Sequence, residues 1–181
     1  TNLLFGAFSI VLTLKGDQIT GAWFIIFALV FDFLDGLAAR VLDATSETGN
    51  LLDSLADVIS FGLAPAVAVF VLTGQTTDLS PWYVGQFHLL PFFAFIYTAA
   101  AAFRLARFSA SGTEASTFNG LPTPAAALFL ASLPLIKNRF TNLDMLQSIL
   151  DNQWFLLGVP IFLAFLMVSR LPMLSLKFSN L

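Results

Sequence analysis

Residues 32–57 read DFLDGLAARVLDATSETGNLLDSLAD and carry two pairs of aspartates at helical spacing. Asp32 and Asp35 are three positions apart, and Asp53 and Asp57 are four apart, so each pair lies on one face of a helix. The polar residues between the pairs predict a turn that joins two antiparallel helices. Antiparallel packing then brings all four carboxylates to a similar depth, at one end of the hairpin.

The composition around this stretch is that of a membrane protein. Hydrophobic residues make up 57% of the 181 positions and charged residues only 10%, whereas a soluble domain carries about 25% charged residues. A membrane helix needs about 20 mostly apolar residues. Six apolar segments are candidate spans: 3–14, 19–41, 51–72, 81–104, 121–136 and 153–171. We therefore predict an all-α, polytopic membrane bundle of about six transmembrane helices, with residues 1–181 forming a single transmembrane domain whose N-terminus is truncated.

The charge of the chain restricts its partners and suggests its orientation. A net charge of -3 disfavours a nucleic-acid partner, because phosphate backbones require basic patches. The absence of cysteine excludes disulfides and thiolate metal sites. A cytoplasmic N-terminus puts more Lys and Arg residues inside than outside. This orientation predicts an integral protein of the cytoplasmic membrane with its aspartates facing the cytoplasm.

Four carboxylates at the edge of hydrocarbon need a compensating positive charge, because an Asp at a helix centre costs about 2.5–3.5 kcal/mol. Arg40 supplies a single positive charge. Mg²⁺ and Mn²⁺ prefer oxygen ligands of this kind, and two such ions ~4 Å apart can hold a diphosphate. The sequence therefore predicts a divalent metal site formed by Asp32, Asp35, Asp53 and Asp57.

Two glycines flank the aspartates and leave the backbone open to a ligand. Gly36 follows Asp35 directly, and Gly49 opens the second helix. Neither residue has a side chain to obstruct a bulky ligand. A nucleotide is such a ligand, and Arg40 is placed to pair with its phosphate.

From Asp32 to Asp57 the spacing D-x2-D-G-x2-A-R-x8-G-x3-D-x3-D resembles the signature of the CDP-alcohol phosphotransferase family. The resemblance implies an enzyme that binds CDP-diacylglycerol, with its diphosphate on the metals, and lets an alcohol displace CMP from the lipid-linked phosphorus. It implies Asp57 as the general base and a homodimer as the assembly. The cytidine site implied by the family consists of Gly36, Ala39, Arg40 and Gly49.

Three further stretches resemble the phosphatidylserine synthase branch of that family: LDSLADVISFGLAPA at 52–66, RLARF at 104–108 and FNGLPTPAA at 118–126. This likeness implies L-serine as the acceptor, phosphatidylserine as the product and a place in phospholipid biosynthesis. The branch often carries Asn where this chain has Ser109. The expected contacts to serine or phosphate are Arg104, Arg107, Ser109 and Asn119.

Two alternatives stay open at this stage. Another family member would use glycerol 3-phosphate or an inositol phosphate, which calls for a denser basic cluster than Arg40, Arg104 and Arg107. A cation-coupled transporter would also use intramembrane carboxylates. The chain has no inverted repeat of the kind that transporters carry, and transport leaves the spacing of Gly36 and Arg40 unexplained.

Overall fold

The computed structural model describes residues 1–42, 46–76, 83–84, 87–110 and 120–169. The α-helices of these ranges are α1 (Asn2–Leu14), α2 (Gln18–Val41), α3 (Glu47–Asp57), α4 (Ala64–Gly74), α5 (Phe95–Ala110), α6 (Thr123–Arg139), α7 (Asp144–Leu150) and α8 (Gln153–Val168). A π-helical segment, Val58–Leu63, joins α3 to α4, and a 3-10 helix, Leu90–Ala94, precedes α5. Two short strands, β1 (Tyr83–Val84) and β2 (Phe87–His88), pair antiparallel. The helical architecture is confirmed, with this small hairpin as an addition to the predicted all-α class.

Two helices are long and apolar enough to cross a membrane, judged by length and composition over the described ranges. They are Gln18–Ala39 and Thr48–Gly74, the second running through the π segment. α7 and α8, which meet at a bend of 65°, provide a third crossing if they form one span. α1 is apolar but shorter. These helices agree with the predicted integral membrane protein, whereas the predicted number of six spans is not confirmed.

The fourth predicted span, 81–104, is wrong in its bounds. The structure has the β hairpin and the 3-10 helix there, and α5 begins only at Phe95 and continues to Ala110. Pro91 lies in the 3-10 helix. Proline has no N–H to donate and disfavours the α conformation of the residue before it. The apolar run in the sequence therefore continues across a point where the α-helix cannot.

α1 packs along α2 through small residues and aromatic rings. A Cβ on Gly21 would collide with the Thr13 hydroxyl, and the Ser9 hydroxyl donates to the Gly21 carbonyl at 2.7 Å. The Phe5 and Phe31 rings stack with their centroids 4.7 Å apart. Inside a bilayer, van der Waals contact and interhelical hydrogen bonds hold helices together, and this pair has both.

Two buried clusters hold the bundle together, and the second of them includes α2, which carries Asp32. One lies among α4, α5, α6 and α8 and includes Tyr97, Leu130 and Leu156. The other lies among α2, the π segment and α6 and includes Ile25 and Phe61. α6 therefore contacts both clusters, and it ties α2 to the rest of the bundle.

The start of α6 is anchored on the end of α8 at a glycine. Gly120 has a φ of 83°, which a residue with a side chain rarely adopts. A Cβ at this position would lie 2.5 Å from the Met167 carbonyl oxygen. The next residue, Leu121, donates its N–H to the Leu166 carbonyl at 3.1 Å. Only glycine allows the backbone to pass this close to α8.

The π segment begins directly after Asp57 and accepts hydrogen bonds from two side chains of α5. The Tyr97 hydroxyl donates to the Phe61 carbonyl at 2.9 Å, and the Thr98 hydroxyl donates to the Gly62 carbonyl at 3.1 Å. In a π-helix each hydrogen bond spans one residue more than in an α-helix. The segment therefore changes the rotation of α3 relative to α4, and with it the direction in which Asp57 points.

Candidate metal centre

Three of the four predicted aspartates come together between α2 and α3. Asp32, Asp53 and Asp57 each offer a carboxylate oxygen, and these oxygens lie within 4.8 Å of one another. The Asp32 and Asp57 carboxyls are within hydrogen-bond range of each other. Asp35 is exposed and lies outside this group, although it interacts electrostatically with Asp53. Asp35 therefore lies at the rim of a cluster of three carboxylates.

A side-chain cap fixes where α3 begins, and with it the position of the two carboxylates on that helix. Ser46 is the N-cap of α3, and its hydroxyl accepts the Gly49 N–H at 3.0 Å, a bond that satisfies one of the unpaired donors of the first turn. Asp53 and Asp57 follow at i, i+4 and share the face toward Asp32. A Cβ on Gly49 would meet the capping hydroxyl at 3.0 Å, so this glycine serves the cap.

The donor set fits a hard divalent cation. Carboxylates this close repel one another unless a positive charge lies between or beside them. The Arg104 guanidinium interacts electrostatically with Asp57, but its single charge does not balance three carboxylates. Oxygen-only ligands of this kind suit Mg²⁺ or Mn²⁺. The residues present therefore match the predicted type of metal.

The sequence did not single out Asn2, which joins this cluster from α1. Its Nδ2 donates to Asp32 Oδ1 at 3.0 Å and to Asp57 Oδ1 at 2.9 Å. The side chain is buried. The only signal in the sequence is an amide at the edge of an otherwise apolar segment, which is a common place for a helix to begin.

A cleft of about 240 Å³ opens beside the carboxylates and is lined by Asp32, Phe33, Gly36, Leu37 and Asp53. A Cβ on Gly36 would have no atom of the described residues within 4 Å, so those residues leave this space open. The cleft gives a ligand access to the carboxylates. Of the predicted nucleotide residues, Gly36 lines it, while Ala39 is half-buried further along α2 and the Arg40 side chain lies outside the described residues.

The predicted acceptor residues occupy different surroundings. Arg104 is half-buried and donates from Nη1 to the Thr123 hydroxyl at 2.9 Å. Arg107 is exposed in the last turn of α5. The Ser109 hydroxyl lies 2.9 Å from the Ser54 hydroxyl of α3. The structure therefore brings Arg104 and Ser109 to the helix that carries Asp53 and Asp57, and Asn119 lies outside the described residues.

Comparisons with known proteins agree on one family. A family model described as CDP-alcohol phosphatidyltransferase matches residues 1–166. A Helicobacter pylori protein named CDP-diacylglycerol–serine O-phosphatidyltransferase is 29% identical over 173 residues, covering 94% of this chain and 67% of that protein. Proteins of the same name are 35% identical over 153 residues in Mycobacterium bovis, with 81% and 48% covered, and 31% identical over 141 residues in Bacillus subtilis, with 76% and 72% covered. The chain thus spans about half the length of the mycobacterial relative, and no solved structure matches it significantly.

Proposed function

Because the chain belongs to the CDP-alcohol phosphatidyltransferase family, we propose that it transfers the phosphatidyl group of CDP-diacylglycerol to L-serine, giving phosphatidylserine and CMP. The observation that carries the proposal is the convergence of Asp32, Asp53 and Asp57 beside an open cleft. The names of the relatives support serine as the acceptor. The chain is then an enzyme of phospholipid synthesis.

The proposed metal is Mg²⁺ or Mn²⁺, held by Asp32, Asp53 and Asp57 with Asp35 at the rim. When bound, divalent cations neutralise the charge on the phosphoryl oxygens and on the departing CMP. The aspartates are half-buried or exposed at the end of the hairpin, so the diphosphate reaches them from outside the bundle. This arrangement suits a substrate whose headgroup is polar and whose tail stays in lipid.

Asp57 is the proposed general base. It is half-buried, and the serine hydroxyl is a poor nucleophile until a base removes its proton. The serine oxygen forms the new bond to the lipid-linked phosphorus as the bond from that phosphorus to the CMP oxygen breaks. The hydroxyl proton passes to the Asp57 carboxylate, and CMP leaves with the electron pair.

The nucleotide is proposed to lie along α2. Gly36 lines the cleft and leaves room for the ligand beside the backbone. Ala39, Arg40 and Gly49 complete the proposed cytidine site, with Arg40 pairing with a phosphate. Open space at Gly36 supports this assignment, because a nucleotide needs a wide approach to the carboxylates.

Arg104 is the proposed contact to the serine carboxylate. One of its nitrogens is used by Thr123, while Nε has no hydrogen-bond partner within the described part of the chain. Arginine presents several donors in one plane and binds a carboxylate well. Arg107, Ser109 and Asn119 are proposed to complete the acceptor site around it.

The wider setting follows from the same proposal. The site faces the cytoplasm, where L-serine is dissolved, and CDP-diacylglycerol reaches it from the membrane. A bundle of about six spans and a homodimer are the proposed arrangement in the cytoplasmic membrane. No nucleic acid takes part.

One assay tests the function. Purified protein in detergent is incubated with CDP-diacylglycerol, Mn²⁺ or Mg²⁺ and L-serine, and the release of CMP is measured together with the lipid product. We expect serine-dependent CMP and phosphatidylserine. Release with glycerol 3-phosphate or an inositol phosphate instead of serine would assign another acceptor, and no release with any of them would favour a transporter.

A further inference from the structure

α1 contributes one polar side chain to the carboxylate cluster. Asn2 is 3% exposed and donates from Nδ2 to Asp32 at 3.0 Å and to Asp57 at 2.9 Å. Asp32 belongs to α2 and Asp57 to α3. A single amide group therefore connects the two helices that carry the cluster.

Contacts between the α1 backbone and the π segment fix the position of this amide. The Asn2 carbonyl accepts the Ser60 hydroxyl of the π segment at 3.1 Å. One turn further, a Cβ on Gly6 would lie 2.7 Å from the Ser60 Cα, so the backbones of α1 and the π segment are in close contact. The first turn of α1 thus has little freedom to move relative to Asp57.

The chemistry of an amide suits this place. Asparagine offers two N–H donors and no charge. A lysine or arginine here would neutralise the carboxylates that a cation needs, and a further carboxylate would add repulsion. An uncharged double donor holds two carboxylates in place and leaves their charge for the metal.

Stability alone does not explain an asparagine at this position. Its Oδ1 is buried and has no hydrogen-bond partner within the described ranges, and a buried unpaired acceptor is unfavourable for folding. An apolar side chain of the same size would avoid that penalty. The two bonds to Asp32 and Asp57 are the contacts that only a donor can make.

We propose that Asn2 is a positioning residue, which sets the angle between the Asp32 and Asp57 carboxylates so that they converge on a divalent cation. Asn2 donates to one oxygen of each carboxylate, and the second oxygen of each carboxylate receives no hydrogen bond from Asn2. Groups that orient metal ligands in this way affect metal affinity or activity by about 10–100-fold when removed. The inference deepens the proposed function and rests on its metal site.

The test measures Mn²⁺ binding to the 181-residue chain in detergent, by calorimetry or electron paramagnetic resonance and without substrate. Asn2→Leu keeps the branched shape and the number of heavy atoms of the side chain and removes both donors, and Asn2→Ser keeps one donor. We expect Mn²⁺ affinity to fall about 10–100-fold in Asn2→Leu and by less in Asn2→Ser. The melting temperature of each metal-free variant shows whether that variant keeps the fold.

Ser9→Ala is the matched control. It removes a buried hydrogen bond from the same helix, the 2.7 Å bond to Gly21, and should leave Mn²⁺ affinity unchanged. Wild-type Mn²⁺ affinity in Asn2→Leu would overturn the proposal, as would a loss of affinity in Ser9→Ala as large as in Asn2→Leu. If Asn2→Leu weakens Mn²⁺ binding while the wild type releases no CMP, the positioning role stands and the proposed reaction fails.

Discussion

At the scale of single residues, Gly36 is unfavourable for the stability of α2 but leaves room for the proposed ligand. A methyl group on Gly36 would touch no other part of the described chain, and alanine is favoured over glycine inside a helix by about 1 kcal/mol. Gly36→Ala should therefore raise the melting temperature. It should also lower kcat/KM on the order of 100-fold, because a small displacement of a bound substrate is costly to the reaction.

Gly158→Ala provides the control for this prediction. Gly158 lies in α8, where an added Cβ would likewise have no atom of the described residues within 4 Å, and it lines an apolar groove with Phe129 and Phe162. We expect the same gain in melting temperature and no loss of activity. Full activity in Gly36→Ala would show that the nucleotide does not approach this face of α2.

Asp57 carries the sharpest prediction about the reaction itself. Asp57→Asn keeps the shape of the side chain but cannot accept the serine proton, so kcat should fall on the order of 10²–10⁴-fold. CDP binding, measured by calorimetry at saturating Mn²⁺, should be largely retained, because Asp32 and Asp53 remain as metal ligands. Asp144→Asn, at the exposed first turn of α7, should leave both quantities unchanged, and near-normal turnover in Asp57→Asn would refute the base.

At the scale of elements, the π segment depends on α5. The Tyr97 side chain is fully buried, and its hydroxyl donates to the Phe61 carbonyl at 2.9 Å. Tyr97→Phe leaves that carbonyl without its partner, which should lower the free energy of unfolding by about 1–3 kcal/mol. Activity should fall as well, because the π segment sets the direction of Asp57.

Ser132→Ala is the comparison for Tyr97→Phe. It also removes a hydroxyl-to-carbonyl bond, the 2.6 Å bond to Phe129, but this bond lies within α6 and links no two elements. Its effect on the free energy of unfolding should stay within about 0.5 kcal/mol. Chemical denaturation in detergent measures both variants, and equal losses would mean that the link from α5 to the π segment has no special weight.

The secondary-structure elements also show which parts of the fold could be predicted from the sequence. Apolar length and the aspartate spacing predict α2 and the helix after it, because both signals are local. The π segment depends on hydroxyl groups that reach it from α5, and the contact of Asn2 with Asp57 joins residues far apart in the chain. Neither feature produces a periodic pattern in the sequence, so both can be recognised only in the packed structure.

At the scale of the whole molecule, a bound metal would act as a cross-link between α2 and α3. A ligand that binds only the folded state stabilises it by about 2.7 kcal/mol at a hundred times its dissociation constant. Mn²⁺ should therefore raise the melting temperature, and a chelator should reverse the change. Asp32→Asn should abolish the shift.

Asp17→Asn should keep the Mn²⁺ shift. Asp17 is exposed before α2 and accepts the Thr20 N–H at 3.1 Å, and hydrogen bonds from the Thr20 side chain and backbone hold the pKa of Asp17 below its usual value. Asparagine can take over this capping role, so only the charge is lost. A missing shift in Asp17→Asn would mean that Mn²⁺ acts on the general charge of the chain.

The side chains at the rim of the cleft determine whether the effective concentration of the lipid substrate is set by the membrane surface or by the bulk solution. Large apolar side chains stand exposed beside the aspartates on both helices: Phe33, Leu37, Leu51, Leu52 and Leu55. In a bilayer these side chains face acyl chains, so CDP-diacylglycerol arrives by two-dimensional diffusion. Its effective concentration is then a mole fraction of the surface. Adding inert lipid at a constant bulk amount of CDP-diacylglycerol should slow the enzyme in proportion, a surface dilution that the water-soluble acceptor does not undergo.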